Sequence, residues 1–396
     1  MMEEKQTAAE SPFYGLFNDS FPPIMDGVAV CVENYALWMW QKTHSCCVVT
    51  ANVPAYDYTK FPYPVYRYNS FTVPTRRPYR IGVPWMDWVF DYKIDSVNFD
   101  LVHAHSPFAS GNLALKIARR EGIPIVATFH SKYRDDFARS ISDPQIVDVI
   151  IKNIIRYYNS VDQVWIPQAA VEDTIREYGY KGPLVVMDNG SDLVVKPEAE
   201  KVRAAARENL GLKPEDNVLL FVGQHIWQKN TKLIIESLGL LKDIQWKMIF
   251  VGTGYAAEDM KKMVKELGID DRCTFAGQVL DRSKMRDYYA CGDLFLFPSV
   301  YDNAPLVVRE AAALQTPALM SEGSDAADIA VDGFNGFLSK PEATEYASHI
   351  RALLADKSVI RKVGVNACNT LVRSWSEIVD EVLDRYKHLI EAKKKK

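Results

Sequence analysis

Residues 294 to 317 read LFLFPSVYDNAPLVVREAAALQTP. An apolar run ending in proline makes a buried strand, SVYDNA makes a turn, and VVREAAAL carries a helical period behind Pro305, which is suited to the first helical position. A strand feeding a helix through a short loop is the repeating unit of an open parallel α/β sheet, and such sheets bind ligands beyond the carboxyl ends of their strands. The first amides of that helix lack intrahelical partners and carry the positive end of its dipole, so a diphosphate suits them. Glu310 follows Leu306 by four residues on one helical face and leans back toward the helix start, while Asp302 flanks the same place from the loop. Two readings are open from this segment alone. Either both acids address a ligand, or Asp302 or Asn303 is an Asx-type cap and Glu310 is a solvated helical residue.

Working outward, the same strand-then-helix alternation runs from end to end. Strands are expected at 13–17, 46–50, 100–104, 124–129, 163–167 and 183–187 in the first half, and at 217–223, 246–252, 272–277, 293–298 and 317–321 in the second. The fold class is therefore α/β, with two doubly wound, Rossmann-like domains facing across a cleft. Residues 190–215 hold a turn, a charged helix and a second turn, which marks the junction. The expected domains are 11–195, 196–372 and a C-terminal helix over 373–392 whose apolar stripe, Ile378, Val379, Val382, Leu383 and Tyr386, returns to brace the first domain. The stretch from Tyr56 to Trp88 lacks a helical period and mixes aromatics with Arg76, Arg77 and Arg80, so it reads as a long decorated loop.

With 396 residues, 48% hydrophobic and 25% charged, the chain has the composition of a soluble globular protein of about two domains. A net charge of −4 argues against generic nucleic-acid binding. Six scattered cysteines without a CxxC fit reduced core thiols and a cytoplasmic location. The polar, acidic start lacks a secretory h-region, and no apolar run is long enough to span a bilayer. The EAKKKK ending and the aromatic-arginine loop add the expectation of peripheral contact with the inner face of a membrane.

Other strand ends carry polar residues too. Gly27 stands before a helix, where it lets a ligand approach the backbone or simply makes a turn. Lys229 follows FVGQHIWQ and is placed to neutralise phosphate as a point charge, though an exposed lysine without a role is the commoner case. VGTG, with Gly252 and Gly254, is a weak signal that more often marks a strand-to-helix turn. His130 ends a strand and faces the cleft; His103 and His105 share a strand face without a third ligand at metal spacing. No Asp-x-Asp, GxxxxGK[ST], GxSxG or GxGxxG occurs, so diphosphate chemistry would rest on helix dipoles and cationic side chains, with no metal and no cofactor.

In order along the chain come FPPIMDG, DLVHAHSP, IPIVATFHSKY, DNGSD, FVGQHIWQKN, IFVGTG, FAGQV, DLFLFPS and the acidic loop-helix segment. This ordered set resembles the family 4 glycosyltransferases, retaining enzymes of the GT-B fold that use nucleotide sugars. FHSKYRDDF is similar to the histidine-centred segment of bacterial diacylglycerol glucosyltransferases. The resemblance implies transfer of a hexose from a nucleotide-diphosphate sugar, expected to be a UDP-sugar, to a hydroxyl of a lipid or saccharide acceptor, with retention and without metal. It implies His130, Asp302 and Lys229 as catalytic residues. Gly27, Gln224, Gly252, Gly254, Leu306 and Val307 would join Lys229 around the donor. By the same resemblance the backbone near Gln278 and Val279 would read the base, Glu310 would bind the ribose and Asp302 the sugar hydroxyls. Arg76, Arg77, Arg80 and Tyr133 are acceptor-side candidates. The chain departs from the family pattern at Asp302, usually glutamate, at Gln224, usually arginine, and at Asp26, usually glycine. Arg309 or an arginine of the aromatic loop is the expected replacement for the missing cation. A nucleotide-sugar epimerase of the same fold, or a non-catalytic nucleotide-sugar-binding relative, would share most of these motifs.

Overall fold

The computed structural model describes residues 11–24, 26–72, 79–193 and 198–395. The chain divides into two compact units, the first made of residues 1–188 with 375–396 and the second of 189–374. The division falls after Asp188, so the expected boundary at 195 lies inside the second unit.

The first unit runs β1 (Tyr14–Asn18), α1 (Gly27–Thr43), β2 (Cys46–Ala51), β3 (Val65–Tyr68), β4 (Ser70–Thr72), β5 (Arg80–Gly82), α2 (Trp88–Asp95), β6 (Leu101–Ala104), α3 (Ala109–Glu121), β7 (Ile125–Thr128), α4 (Tyr133–Ala138), α5 (Pro144–Tyr158), β8 (Gln163–Ile166), α6 (Val171–Glu177) and β9 (Leu184–Val186). Its parallel sheet has the order β3-β2-β1-β6-β7-β8-β9, with β4 and β5 forming a separate antiparallel hairpin. Every residue of β1, β2, β6 and β7 is buried, which is why these strands read as mostly apolar runs without alternation.

The second unit runs α7 (Ala199–Asn209), β10 (Val218–Val222), α8 (Thr231–Gly239), β11 (Lys247–Val251), α9 (Ala257–Glu266), β12 (Cys273–Gly277), α10 (Arg282–Cys291), β13 (Leu294–Phe297), α11 (Leu306–Ala313), β14 (Ala318–Ser321), β15 (Phe337–Ser339), α12 (Ala343–Ala355) and α13 (Lys357–Thr370). The strand order is β12-β11-β10-β13-β14-β15, all parallel. Counted within the unit, that is the 3-2-1-4-5-6 order of dinucleotide-binding folds. In each unit the order reverses beside the first strand, at β1/β6 and at β10/β13. Loops leaving those strand ends diverge, and a crevice forms there.

The last helix, α14 (Trp375–Lys394), belongs to the first unit. Its stripe of Ile378, Val379, Val382, Leu383 and Tyr386 is buried, Trp375 packs edge-on to Tyr35 of α1 at 5.9 Å, and Lys42 of α1 pairs with Asp380 at 2.9 Å. The Tyr386 hydroxyl lies 2.6 Å from His103 Nδ1, so the end of the chain is tied to the middle of β6.

Three expectations need correction. The segment expected as a loop from Tyr56 to Trp88 holds β3, the β4–β5 hairpin and a 3-10 turn over Pro84–Met86, and Trp88 itself opens α2. These pieces are three or four residues long and half-exposed, so they show neither alternation nor a buried run. Pro305 is the N-cap of α11, in extended conformation with ψ 121°, and Leu306 is the first helical residue. β15 escaped the sequence reading because it too is only three residues long.

Candidate functional site

In the second unit, Lys229 and Asp302 meet at the switch point. Lys229 ends a 3-10 turn just after β10, and Asp302 stands in the loop after β13. Their side chains form an ion pair, each 16% exposed, and the other Asp302 oxygen accepts the Ser299 hydroxyl at 2.6 Å. The Lys229 ammonium also lies 6.0 Å from the ring centres of both Phe297 and Tyr301. α11 begins four residues after Asp302, with Leu306 and Val307 half-buried and Pro305 offering no side-chain cap. Its first amides are thus left to whatever approaches them. Asn189 donates to the Ala304 carbonyl at 3.4 Å and holds the loop just ahead of that helix.

Glu310 is not solvated. Its carboxylate is buried, accepts the Tyr289 hydroxyl at 2.6 Å on one oxygen and Arg282 at 2.8 Å on the other. Arg282, at the first position of α10, also reaches Asp192 through two nitrogens. Burial works against the Arg282 charge, but Glu310 and Asp192 outweigh it and raise its pKa. Burial and the neighbouring Glu310 hold the Tyr289 phenol protonated, so it donates. Sequence reasoning missed Arg282, Tyr289 and Asp192. Arg282 stands 28 residues and Asp192 much further from Glu310 along the chain, so no local spacing joins them; Asp281, which caps α10, was the only local signal that a helix starts there.

Arg309 does not replace the missing cation, because its guanidinium is buried and donates to the Leu371 carbonyl at 2.8 Å. Gln224 is exposed just past the strand end, with its backbone carbonyl accepting Ile226 N–H at 2.9 Å. Gly252 and Gly254 have a packing reason of their own. A Cβ on Gly252 would stand 1.9 Å from the Gly223 carbonyl oxygen, and one on Gly254 would stand 2.3 Å from the His225 carbonyl oxygen. These glycines let the loops after β10 and β11 cross in contact, stitched by His225 N–H to Thr253 O at 2.9 Å. Gln278 is exposed and Val279 half-buried, just past β12.

The first unit has its own polar group at the β1/β6 switch point. The Asp19 carboxylate, just past β1, accepts the hydroxyls of Tyr68 at 3.0 Å, Ser106 at 2.5 Å and Ser110 at 3.0 Å, and also the Ser110 amide at 3.0 Å. It holds the β1 and β6 loops against the start of α3. Asp26 caps α1 by accepting Ala29 N–H at 2.8 Å. Gly27 follows it, and among the described residues a Cβ there would meet nothing within 4 Å. Its φ lies outside the left-handed region, so neither space nor backbone requires a glycine.

Three histidines line up across the ends of β6 and β7. His103 and His105 stack at 4.1 Å, and His105 Nδ1 lies 3.1 Å from His130 Nε2. Desolvation lowers all three. His103 and His105 fall well below the ordinary value, and His130, a half-buried residue, falls to about 3. At neutral pH each imidazole is uncharged and serves as a hydrogen-bonding group.

Two of the acceptor-side candidates are engaged within the fold. Arg80 spends its guanidinium on the hairpin, donating to Ser70 Oγ at 2.7 Å, Ser70 O at 2.8 Å and Thr72 Oγ1 at 2.8 Å. Tyr133 is a core residue, packed edge-on to Phe129 and Phe108 with its hydroxyl 3.4 Å from that of Tyr158. Arg76 and Arg77 lie outside the described residues. The aromatics of this region divide. Phe61 packs on Phe21 and Tyr63, whereas Trp85, Trp88 and Tyr92 are 68, 81 and 81% exposed. Among the described residues no helix is long and apolar enough to cross a membrane.

The chain is also similar to known proteins. The pattern of the glycosyl transferases group 1 matches residues 202–370, and that of Glycosyltransferase Family 4 matches residues 25–195. The chain is 24% identical over 352 residues to the alpha-monoglucosyldiacylglycerol synthase of Streptococcus pneumoniae, covering 86% of this chain and 78% of that protein. Among solved structures, Anabaena HepE in complex with UDP and glucose superposes with a TM-score of 0.76 at 16% identity, covering 95% of this chain and all of that one. The sucrose-phosphate synthase of Thermosynechococcus elongatus gives 0.79 at 20% identity, covering 96% and 100%.

Proposed function

Because the chain belongs to the family 4 glycosyltransferases and has their GT-B fold of two Rossmann-like units, we propose that it moves a hexose from a UDP-sugar to a lipid hydroxyl with retention of configuration. The observation that carries the donor reading is the Lys229–Asp302 pair beside the uncapped start of α11, at the β10/β13 switch point. An arriving diphosphate competes with the Asp302 carboxylate for the Lys229 ammonium. Its β-phosphate takes the cation and the amides of Leu306 and Val307, and Asp302 turns to the hexose hydroxyls.

As the C1–phosphate oxygen bond breaks, the leaving diphosphate gains charge, which Lys229 and the helix dipole stabilise. The acceptor oxygen bonds to C1 on the same face, and its proton passes to the departing phosphate oxygen. Asp302, already engaged by Ser299, is assigned to positioning and not to attack. His130, neutral in this environment, is assigned as the hydrogen-bond partner of the transferred sugar. Glu310, oriented by Arg282 and Tyr289, is assigned to the ribose hydroxyls. Gly27, which the fold does not require, is assigned to close approach of the donor. No step uses a metal ion.

Support for UDP and glucose comes from the HepE complex, and for a lipid acceptor from the streptococcal synthase. The exposed Trp85, Trp88 and Tyr92 on one segment suit a headgroup boundary, where amphipathic rings settle. A screen of radiolabelled nucleotide sugars against diacylglycerol vesicles, with the anomeric configuration of the product read by NMR, tests the whole reading. An inverted product, or transfer only to water-soluble sugars, would refute the mechanism or the acceptor respectively. Release of isomerised sugar without acceptor would instead favour an epimerase.

A further inference from the structure

We propose that Cys31, His105 and His130 form a binding site for a divalent transition-metal ion of the zinc type. The thiol sulfur of Cys31 and one ring nitrogen from each histidine all lie within 4.8 Å of one another. They come from three elements of the first unit: Cys31 from the buried face of α1, His105 from just past β6 and His130 from just past β7. The sheet fixes two of them, since β6 and β7 pair in register through Ala104 and Ala127.

Geometry and donor chemistry agree. In a tetrahedral zinc site, metal–nitrogen bonds near 2.0 Å and metal–sulfur bonds near 2.3 Å place ligand atoms roughly 3.3 to 3.6 Å apart. The 3.1 Å between His105 Nδ1 and His130 Nε2 is a few tenths of an ångström short of one such edge, which a small opening of the two rings supplies. Bringing in the sulfur needs a side-chain shift on the order of 1 Å. One thiolate and two imidazoles select a borderline-soft ion over magnesium or calcium, which demand oxygen ligands.

Binding is balanced as follows: the sulfur–metal bond forms as the thiol proton leaves to solvent, the proton shared between His105 Nδ1 and His130 Nε2 is displaced with each ring taking the tautomer protonated on its other nitrogen, and the two neutral imidazoles then each give a lone pair. The fourth position stays open to water.

Occupancy has a consequence that rests on the role assigned to His130 above. A metal-held His130 cannot turn to the transferred sugar, so the ion acts as an inhibitor of a reaction that does not use metal.

The test is titration of the full-length, metal-stripped chain with CoCl2 in thiol-free buffer. A single equivalent should give a thiolate-to-cobalt charge-transfer band with tetrahedral d–d bands. Cys31→Ser should abolish the charge-transfer band and weaken binding by at least about 10-fold. His105→Gln, a second variant in case the first misfolds, should lose the tetrahedral d–d intensity. Absence of these bands in the wild type, or a band unchanged in Cys31→Ser, overturns the site. In parallel, zinc should suppress transfer in the wild type, and the suppression, relative to each variant's own metal-free rate, should disappear in Cys31→Ser. Cobalt bands without zinc inhibition would keep the metal site and remove His130 from the reaction.

Discussion

Lys229 and Asp302, 73 residues apart in the chain, are joined in one ion pair at the point where the second sheet reverses its strand order. Each is largely covered, so neither partner is solvated well alone. Lys229→Ala should therefore lower kcat/KM for the nucleotide sugar by about 100-fold or more, a transition-state loss of roughly 2.7 kcal/mol. Initial-rate kinetics with the true donor decides it. Unchanged kinetics would remove the pair from the donor site.

Arg282 and Glu310 should be energetically coupled. A double-mutant cycle with Arg282→Ala and Glu310→Gln, read by urea unfolding, should give an interaction of about 1.5 to 3 kcal/mol, because a charge-assisted bond to a buried carboxylate is lost. Nucleotide affinity, measured by calorimetry, should fall in both single variants. Additive effects on stability would mean that Asp192 and Tyr289 hold the two residues independently.

Two glycines should behave in opposite ways. Gly27→Ala should leave stability within about 0.5 kcal/mol, since it meets open space at a helix start, yet it should weaken the donor. Gly252→Ala should fail to give soluble protein, because its φ is 133° and its Cβ would collide with the Gly223 carbonyl. Thermal melts and donor titrations on the two variants separate the roles.

Acid should destabilise the first unit before its carboxylates titrate. His103, His105 and His130 have folded-state pKa values pulled below the ordinary 6.5 by burial, His130 to about 3. The unfolded chain binds protons on them below about pH 6.5 and the folded chain does not, so the stability they allow is complete above that value and lost as pH falls. Each histidine adds up to about 1.4 kcal/mol per pH unit in that window. Urea midpoints followed from pH 7.5 to 5.0 should fall steadily. A flat profile would mean that these imidazoles titrate normally.

The extent to which these features were legible in the chain varied with their reach. β13 and α11 were readable from the opening stretch because a buried parallel strand is a continuous apolar run and a helix has its own period, both local properties. The same holds for the other long strands and for the stripe of α14. The short half-exposed pieces β3, β4, β5 and β15 carry no such pattern, since their pairing is decided by partners elsewhere.

By itself, then, the sequence determined the α/β class, the two-fold repetition of sheets, the ordered motifs of a glycosyltransferase family and the candidate positions of Lys229, Asp302, Glu310 and His130. Only the tertiary structure decided what each of them touches. It paired Lys229 with Asp302, surrounded Glu310 with Arg282 and Tyr289, turned Arg309, Arg80 and Tyr133 to structural tasks, and set Cys31 beside two histidines. The reason is physical. Helical and strand periods are written within a few residues, whereas hydrogen bonds and ion pairs are short-ranged in space and indifferent to separation along the chain.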